Sequence, residues 1–282
     1  MDALERVVAG TGVDDLVSLL AGLPGPDLTT LLLAVSEARV ARRSPAAVLR
    51  QATADRFVQT STLDGRALHQ LEATLLAALP EAFEVVVLSP VAPFGACAAL
   101  ATVSQHKVVT TIRRSEVAAD PTNVLAIEAA RRRRAGQRDP IHLAALQRVV
   151  RAQRFEGASA HFGLLGLVTA TRGDDAGALA HHAQVLVDLA TDAGATDLEL
   201  AVTDLGAGAD LEVRGAAVRD APERTSGRGY YRDTCFKLHG TVDGERWELG
   251  DGGCTDWTAR LLADRRERTV ISGLGVERLL AR

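Results

Sequence analysis

Lysine is almost missing from this chain. Lys107 and Lys237 are the only two among 32 basic residues, so 30 are arginine, and 36 acidic residues leave a net charge of −4. A lysine nucleophile or Schiff base therefore has almost no candidates. Cysteine is scarce too: Cys97, Cys235 and Cys254 lie far apart, with neither a C-x-x-C unit nor a disulfide framework, which fits a reducing compartment. No run approaches 18 uninterrupted apolar residues, and the chain begins Met-Asp-Ala-Leu-Glu without a basic, apolar leader, so a soluble, cytoplasmic protein with no membrane partner is expected. Clustered positive charge is confined to Arg131–Arg134 at a helix end, against broad nucleic-acid binding. The seven histidines have no H-E-x-x-H or similar spacing, and no metal site is expected from them. No G-x-G-x-x-G after a strand and no phosphate-loop pattern appears, which excludes the common dinucleotide and nucleoside-triphosphatase folds.

What is present is a 282-residue chain, 47% hydrophobic, with ample length for a core. Arginine in excess reflects codon composition for the most part, but it also suits fixed-geometry recognition of phosphate and carboxylate. Residues 1–60 read as helical, with apolar spacing of three and four, the break Pro24-Gly-Pro, and Ser44-Pro opening a helix. From 61 to 282 helices and strand-like runs mix. Helices are expected at Gly65–Leu79, from Asp120 into the Arg131–Arg134 run, at Asp175–Ala193, Thr255–Asp264 and Gly273–Arg282. Strands are expected at Phe83–Pro90, Lys107–Ile112, His142–Arg154, Phe162–Thr171, Leu198–Val202, Leu211–Val218, Tyr230–His239, Trp247–Gly250 and Arg268–Ser272. The expected fold class is α+β, an antiparallel sheet flanked by helices, with two regions, 1–60 and 61–282.

The most specific segment is Ser272-Gly-Leu-Gly-Val-Glu-Arg-Leu-Leu280. Its glycines permit close backbone approach, and Arg278 can face an anion. It resembles the third motif of class II aminoacyl-tRNA synthetases. Four more segments follow the same order. Val85-Val-Val-Leu-Ser-Pro90-Val resembles the first motif, and Asp120-Pro-Thr122 the acid-x-Thr signature. Val150-Arg151-Ala-Gln153 with His161-Phe162 resembles the second motif. Arg228-Gly-Tyr-Tyr231 with Gly252-Gly-Cys-Thr-Asp256 resembles the histidyl branch, which includes the regulatory subunit of ATP phosphoribosyltransferase.

The resemblance implies a six- or seven-stranded antiparallel sheet, a homodimer, and activation of a carboxylate by ATP with Mg2+. Carried over, Arg151 would clamp the α-phosphate and carboxylate, with Gln153 at the motif's acidic position. Phe162 would stack on adenine and Arg278 hold the γ-phosphate. Asp120 and Thr122 would hold a substrate ammonium, and Arg228, Tyr230 and Tyr231 would line the substrate pocket. Three departures matter. Gln153 replaces a glutamate. Leu164 and Val168 replace the polar residues that read histidine, and neither can hydrogen-bond an imidazole or ammonium. The chain stops two residues after Leu280, so no anticodon recognition is expected. The expected substrate is a small molecule, an amino acid or related carboxylate other than histidine, activated for a non-translational acceptor, with a partner enzyme or carrier. The alternative is a silent regulatory subunit of ATP phosphoribosyltransferase.

Overall fold

Four helices open the chain in the computed structural model, which describes residues 2–138, 140–153, 159–206 and 211–280. They are α1 (Ala3–Thr11), α2 (Leu16–Ala21), α3 (Gly25–Val40) and α4 (Pro45–Ala54). Local rules explain their starts. Asp2 and Glu5 form a capping box on α1, and Ser44 caps α4 with Pro45 in its first position. None of the four buries a residue, and Val40 and Leu49 remain 65% and 70% exposed.

The remainder alternates: α5 (Gly65–Ala77), β1 (Glu84–Val85), β2 (Val91–Pro93), α6 (Ala96–Ala101), β3 (Ser115–Val117), α7 (Pro121–Arg134), β4 (Ile141–Val150), β5 (His161–Thr171), α8 (Asp175–Asp192), β6 (Thr196–Asp204), β7 (Ala217–Asp220), β8 (Tyr231–Val242), β9 (Glu245–Thr255), α9 (Trp257–Leu262) and β10 (Arg268–Gly275). The main sheet runs β1-β4-β5-β10-β9-β8-β6-β7. It is antiparallel apart from two parallel edge pairs, β1 with β4 and β6 with β7. The α+β class stands; the sheet has eight strands where six or seven were expected, because these short edge strands join it. Asp243 and Gly244, both at positive φ, make the two-residue turn between β8 and β9.

Each sheet face has its own core. Leu179, Ala183, Leu186 and Leu189 recur along α8 at helical spacing and cover one face with Leu68 and Leu75 of α5. On the other, Leu125, Ala126 and Ala129 of α7 meet Leu143, Val168, Ile271 and Trp257. Asp120 starts α7, its Oδ1 accepting from the Thr122 amide at 2.9 Å with Pro121 next in line. Arg131 and Arg132 close α7 by pairing with Glu128, where cations also suit the helix dipole.

Several expected elements differ. Of the apolar run from Phe83 only Glu84–Val85 forms a strand, β1 at the sheet edge; the Val86 amide still donates to the Ala144 carbonyl while Val87 is fully exposed, so the run is an edge and not an interior strand. Lys107–Ile112 is not a strand: a 3-10 turn at Gln105–Lys107 precedes a single bridge, Thr110 to Glu116. Gly273 continues β10 to Gly275 and ends in a 3-10 turn, Val276–Arg278, where a helix was expected; the two glycines favour an extended backbone pressed against β5 and β9. Of the expected strand 211–218, only its end, in β7, is paired.

A polar chain crosses the α8 core. His142 Nδ1 meets Thr169 Oγ1 at 2.8 Å, Thr169 meets His182 Nε2 at 2.8 Å, and His182 Nδ1 meets Ser272 Oγ at 2.9 Å. Burial lowers the His182 pKa from 6.5 to about 3. Between those values the unfolded chain takes up a proton that the folded chain refuses, so this contribution is neutral above the unfolded pKa and destabilises as pH falls. The slope is at most about 1.4 kcal/mol per pH unit, giving a loss of about 2 kcal/mol between pH 7 and pH 5. Urea denaturation at both pH values should show that loss in the wild type and a shallower dependence in His182→Gln.

Candidate functional site

The face that carries α7 is left open beyond the helix's first turn, and its floor is built from residues without side chains. Gly166 of β5 pairs with Gly273 of β10, which pairs with Asp251 of β9, which pairs with Lys237 of β8. A Cβ at Gly166 would lie 2.7 Å from Pro121 Cγ, so glycine is what lets the start of α7 sit on the sheet. In the next row Gly275 pairs with Leu164.

Two clusters flank this floor. In the first, Asp120 Oδ1 accepts from Thr122 Oγ1 at 2.7 Å, while Arg151 reaches Asp120 Oδ2 at 3.2 Å and the Ala119 carbonyl at 3.0 Å. The Arg151 guanidinium lies 5.2 Å from the centre of the Phe162 ring, within cation–π range. Four residues expected from sequence to share a site are thus brought together. Asp120 and Arg151 are about one-third exposed, so their pair can open to a ligand.

In the second cluster the paired tyrosines meet at a 45° tilt with ring centres 4.5 Å apart, and Tyr230 also meets Trp257 at 5.7 Å. Burial drives both phenol pKa values up, with the Asp251 charge adding to it, so both stay protonated donors. Tyr231 OH donates to Asp251 Oδ2 at 3.1 Å, and Arg224 Nη2 donates to the same oxygen at 2.9 Å. Desolvation holds the Asp251 carboxyl above its ordinary pKa, against the pull of Arg224. Asp120 heads the helix whose Pro121 sits on Gly166, and Asp251 lies two strands along the same row, so the clusters flank one floor.

Arg228 is not in it. Its guanidinium turns to the carbonyls of Arg224 and Pro222 and holds the loop. The buried arginine is Arg224, which donates to the Ser226 and Phe236 carbonyls as well as to Asp251 and lies 5.0 Å from the Tyr231 ring centre. Sequence reading missed it because it stands six residues before Tyr230; the turn at Gly227, with φ of +79°, brings it back over Tyr231. Arg278, exposed, runs alongside Gly275 and donates to the Glu248 carbonyl. Gln153 is exposed just beyond β4, its carbonyl accepting from Arg56 at 3.4 Å; residues 154–158, expected from sequence as the last strand residue and a loop, lie outside the described residues. Val168, at a position that reads substrate in the resembling family, is fully buried among core residues.

The cysteines are not poised as nucleophiles. All three cysteines are buried, and burial pushes Cys97 and Cys254 up to about 12. No group of three or more metal-ligating side chains exists among the described residues.

The sequence matches no family model and no curated protein. Solved structures do match in shape. The fold is that of a class II aminoacyl-tRNA synthetase core. A structure described as an ATP phosphoribosyltransferase regulatory subunit/histidyl-tRNA synthetase from Bacillus halodurans superposes with a TM-score of 0.63 at 12% identity, covering 79% of this chain and 81% of that one. Apo histidyl-tRNA synthetase from S. aureus gives 0.62 at 15%, over 79% and 71%. A histidine–tRNA ligase subunit from Alicyclobacillus acidocaldarius gives 0.64 at 14%, over 85% and 96%. No helix among the described residues is long and apolar enough to cross a membrane.

The two arginines of the 224–228 loop should separate on mutation. Arg224→Ala leaves the Phe236 carbonyl without this donor and Asp251 without its cation, and should cost about 3 kcal/mol in urea denaturation, whereas Arg228→Ala should cost under about 1 kcal/mol.

Proposed function

We propose that this protein binds ATP and activates an amino acid or related carboxylate, other than histidine, as an adenylate for a non-translational acceptor. The observation that carries the reading is Arg151 placed between Asp120 and the Phe162 ring at the edge of a glycine floor, with Arg278 beside the same floor. Asp120 and Thr122 would take the substrate ammonium. Arg151 would leave Asp120 to span the α-phosphate and the attacking carboxylate, Phe162 would stack on adenine, and Arg278 would leave the Glu248 carbonyl for the γ-phosphate. A carboxylate oxygen then attacks the α-phosphorus in line and pyrophosphate departs. The protein contributes orientation and fixed positive charge rather than a nucleophile.

Magnesium has no cage of protein ligands here. Asp120 pairs with Arg151, Asp251 with Arg224, and Glu248 with Lys237 at 2.6 Å, so each site carboxylate already has a cation.

We assign residues 1–60 to a region apart from 61–282, since α1–α4 bury nothing. The working unit is a homodimer. Its surface would include Val87, fully exposed on the open edge after β1, and Phe94, 60% exposed. A second reading, a silent regulatory subunit of ATP phosphoribosyltransferase, is favoured by one observation: Val168 and Leu164 offer no polar contact where the histidyl branch reads its substrate. Co-purification with a phosphoribosyltransferase and altered feedback inhibition would support that reading.

The adenylate reading is tested by ATP–pyrophosphate exchange with a panel of amino acids. Exchange is expected with at least one; no exchange and no ATP binding would overturn it. Arg278→Ala should abolish ATP binding by calorimetry and leave the dimer intact by sedimentation, and an unchanged ATP affinity would refute the assignment.

A further inference from the structure

The row that crosses the sheet from α7 meets, after two glycines and before Lys237, a carboxylate whose two oxygens are used unequally. Asp251 Oδ2 takes both hydrogen bonds, from Arg224 and Tyr231, while Oδ1 receives none from any described residue, and the side chain is 38% exposed. Its orientation is fixed from behind. Arg224 is only 3% exposed and cannot shift without abandoning the Ser226 and Phe236 carbonyls. The Tyr231 ring lies against Gly253, where a Cβ would come within 2.6 Å of it. Rotating the carboxylate would forfeit both donors, so Oδ1 is a preset acceptor. Paired with Arg224, the carboxylate offers Oδ1 to a ligand as an acceptor.

What Oδ1 faces is set by register. Gly273 separates Asp251 from Gly166, and Gly166 lies under Pro121 and Thr122 at the start of α7. Two strand spacings put the Gly166 and Asp251 backbones about 10 Å apart. An amino acid whose ammonium sits at Asp120 and Thr122 would lay its side chain across Gly273, beside Leu164, with its end at Asp251. The subsite has a glycine floor, an apolar wall and one acceptor at the far end.

We infer that Asp251 determines the specificity of this site, and that the amino acid taken there carries an amide N–H donor on its side chain. The placement of the ammonium rests on the adenylate-forming reading. A donor-bearing side chain satisfies Oδ1. An apolar isostere strips water from it without replacement, and an acceptor-bearing one repels it, so discrimination is steep.

Titration calorimetry on the full chain with two isosteric sets tests this: asparagine, leucine and aspartate, then glutamine, methionine and glutamate. Wild type should bind an amide member at least tenfold tighter than its isosteres. In Asp251→Asn the amide oxygen can keep Arg224 and Tyr231 while its NH2 takes the place of Oδ1, so the preference should fall at least tenfold and move toward aspartate or glutamate. Tyr231→Phe, which leaves the Arg224 pair in place, should reduce the preference several-fold and serves if the first variant does not fold. Equal binding of the isosteres, no amino-acid binding at all, or a preference unchanged in the folded variants would overturn the inference; the last is what a purely structural Arg224 partner would give. Pyrophosphate exchange on the same sets separates the two claims. Amide-selective binding without exchange keeps the specificity and removes the adenylate reading, whereas exchange that ignores the side chain does the reverse.

Discussion

The site depends on one short-range arrangement, the Asp120 carboxylate shared between the first turn of α7 and the Arg151 guanidinium. One oxygen caps the helix through Thr122 and the other holds Arg151. The helix can reach that position only because Gly166 has no side chain beneath Pro121. Packing therefore fixes the electrostatics: a glycine in β5 seats a helix, the helix presents an acid, and the acid parks an arginine over Phe162. Opposite charges are held in contact at a partly exposed position, and on the proposed function a phosphate that drew Arg151 away would leave Asp120 to an ammonium.

The same logic recurs across the floor. Asp251, Arg224 and Tyr231 form a second charge-balanced unit, and Lys237 with Glu248 a third. Charge-assisted hydrogen bonds in a partly dry groove hold direction better than isolated charges would. No part of the groove needs a lysine nucleophile, which accords with a chain that has only two lysines.

Sequence carried the periodic elements well. The spacing of α8, the Asp120-Pro start of α7 and the β8 and β9 runs reflect local propensity and one-sided burial, which a single sequence displays. Edges were another matter. Val85-Val-Val has the composition of a buried strand but lies on an open side, because strand-like residues do not say what covers them. Gly273 to Arg278 suggested a helix, yet its glycines serve a tertiary contact with β5 and β9. In the site, Asp120, Thr122, Arg151 and Phe162 were legible as collinear motifs. Arg224 and Asp251 were not, since one is displaced by a loop around Gly227 and the other acquires meaning only from its register with Gly273.

The release of Arg151 from Asp120 is the most direct point of test, and calorimetric titration of ATP into wild type and Asp120→Asn measures it. Asparagine still caps a helix but surrenders the charge that holds the arginine. The account predicts one ATP site per chain in the wild type and at least threefold tighter ATP binding in Asp120→Asn. Absence of ATP binding in the wild type, or weaker binding in a folded Asp120→Asn, would contradict it.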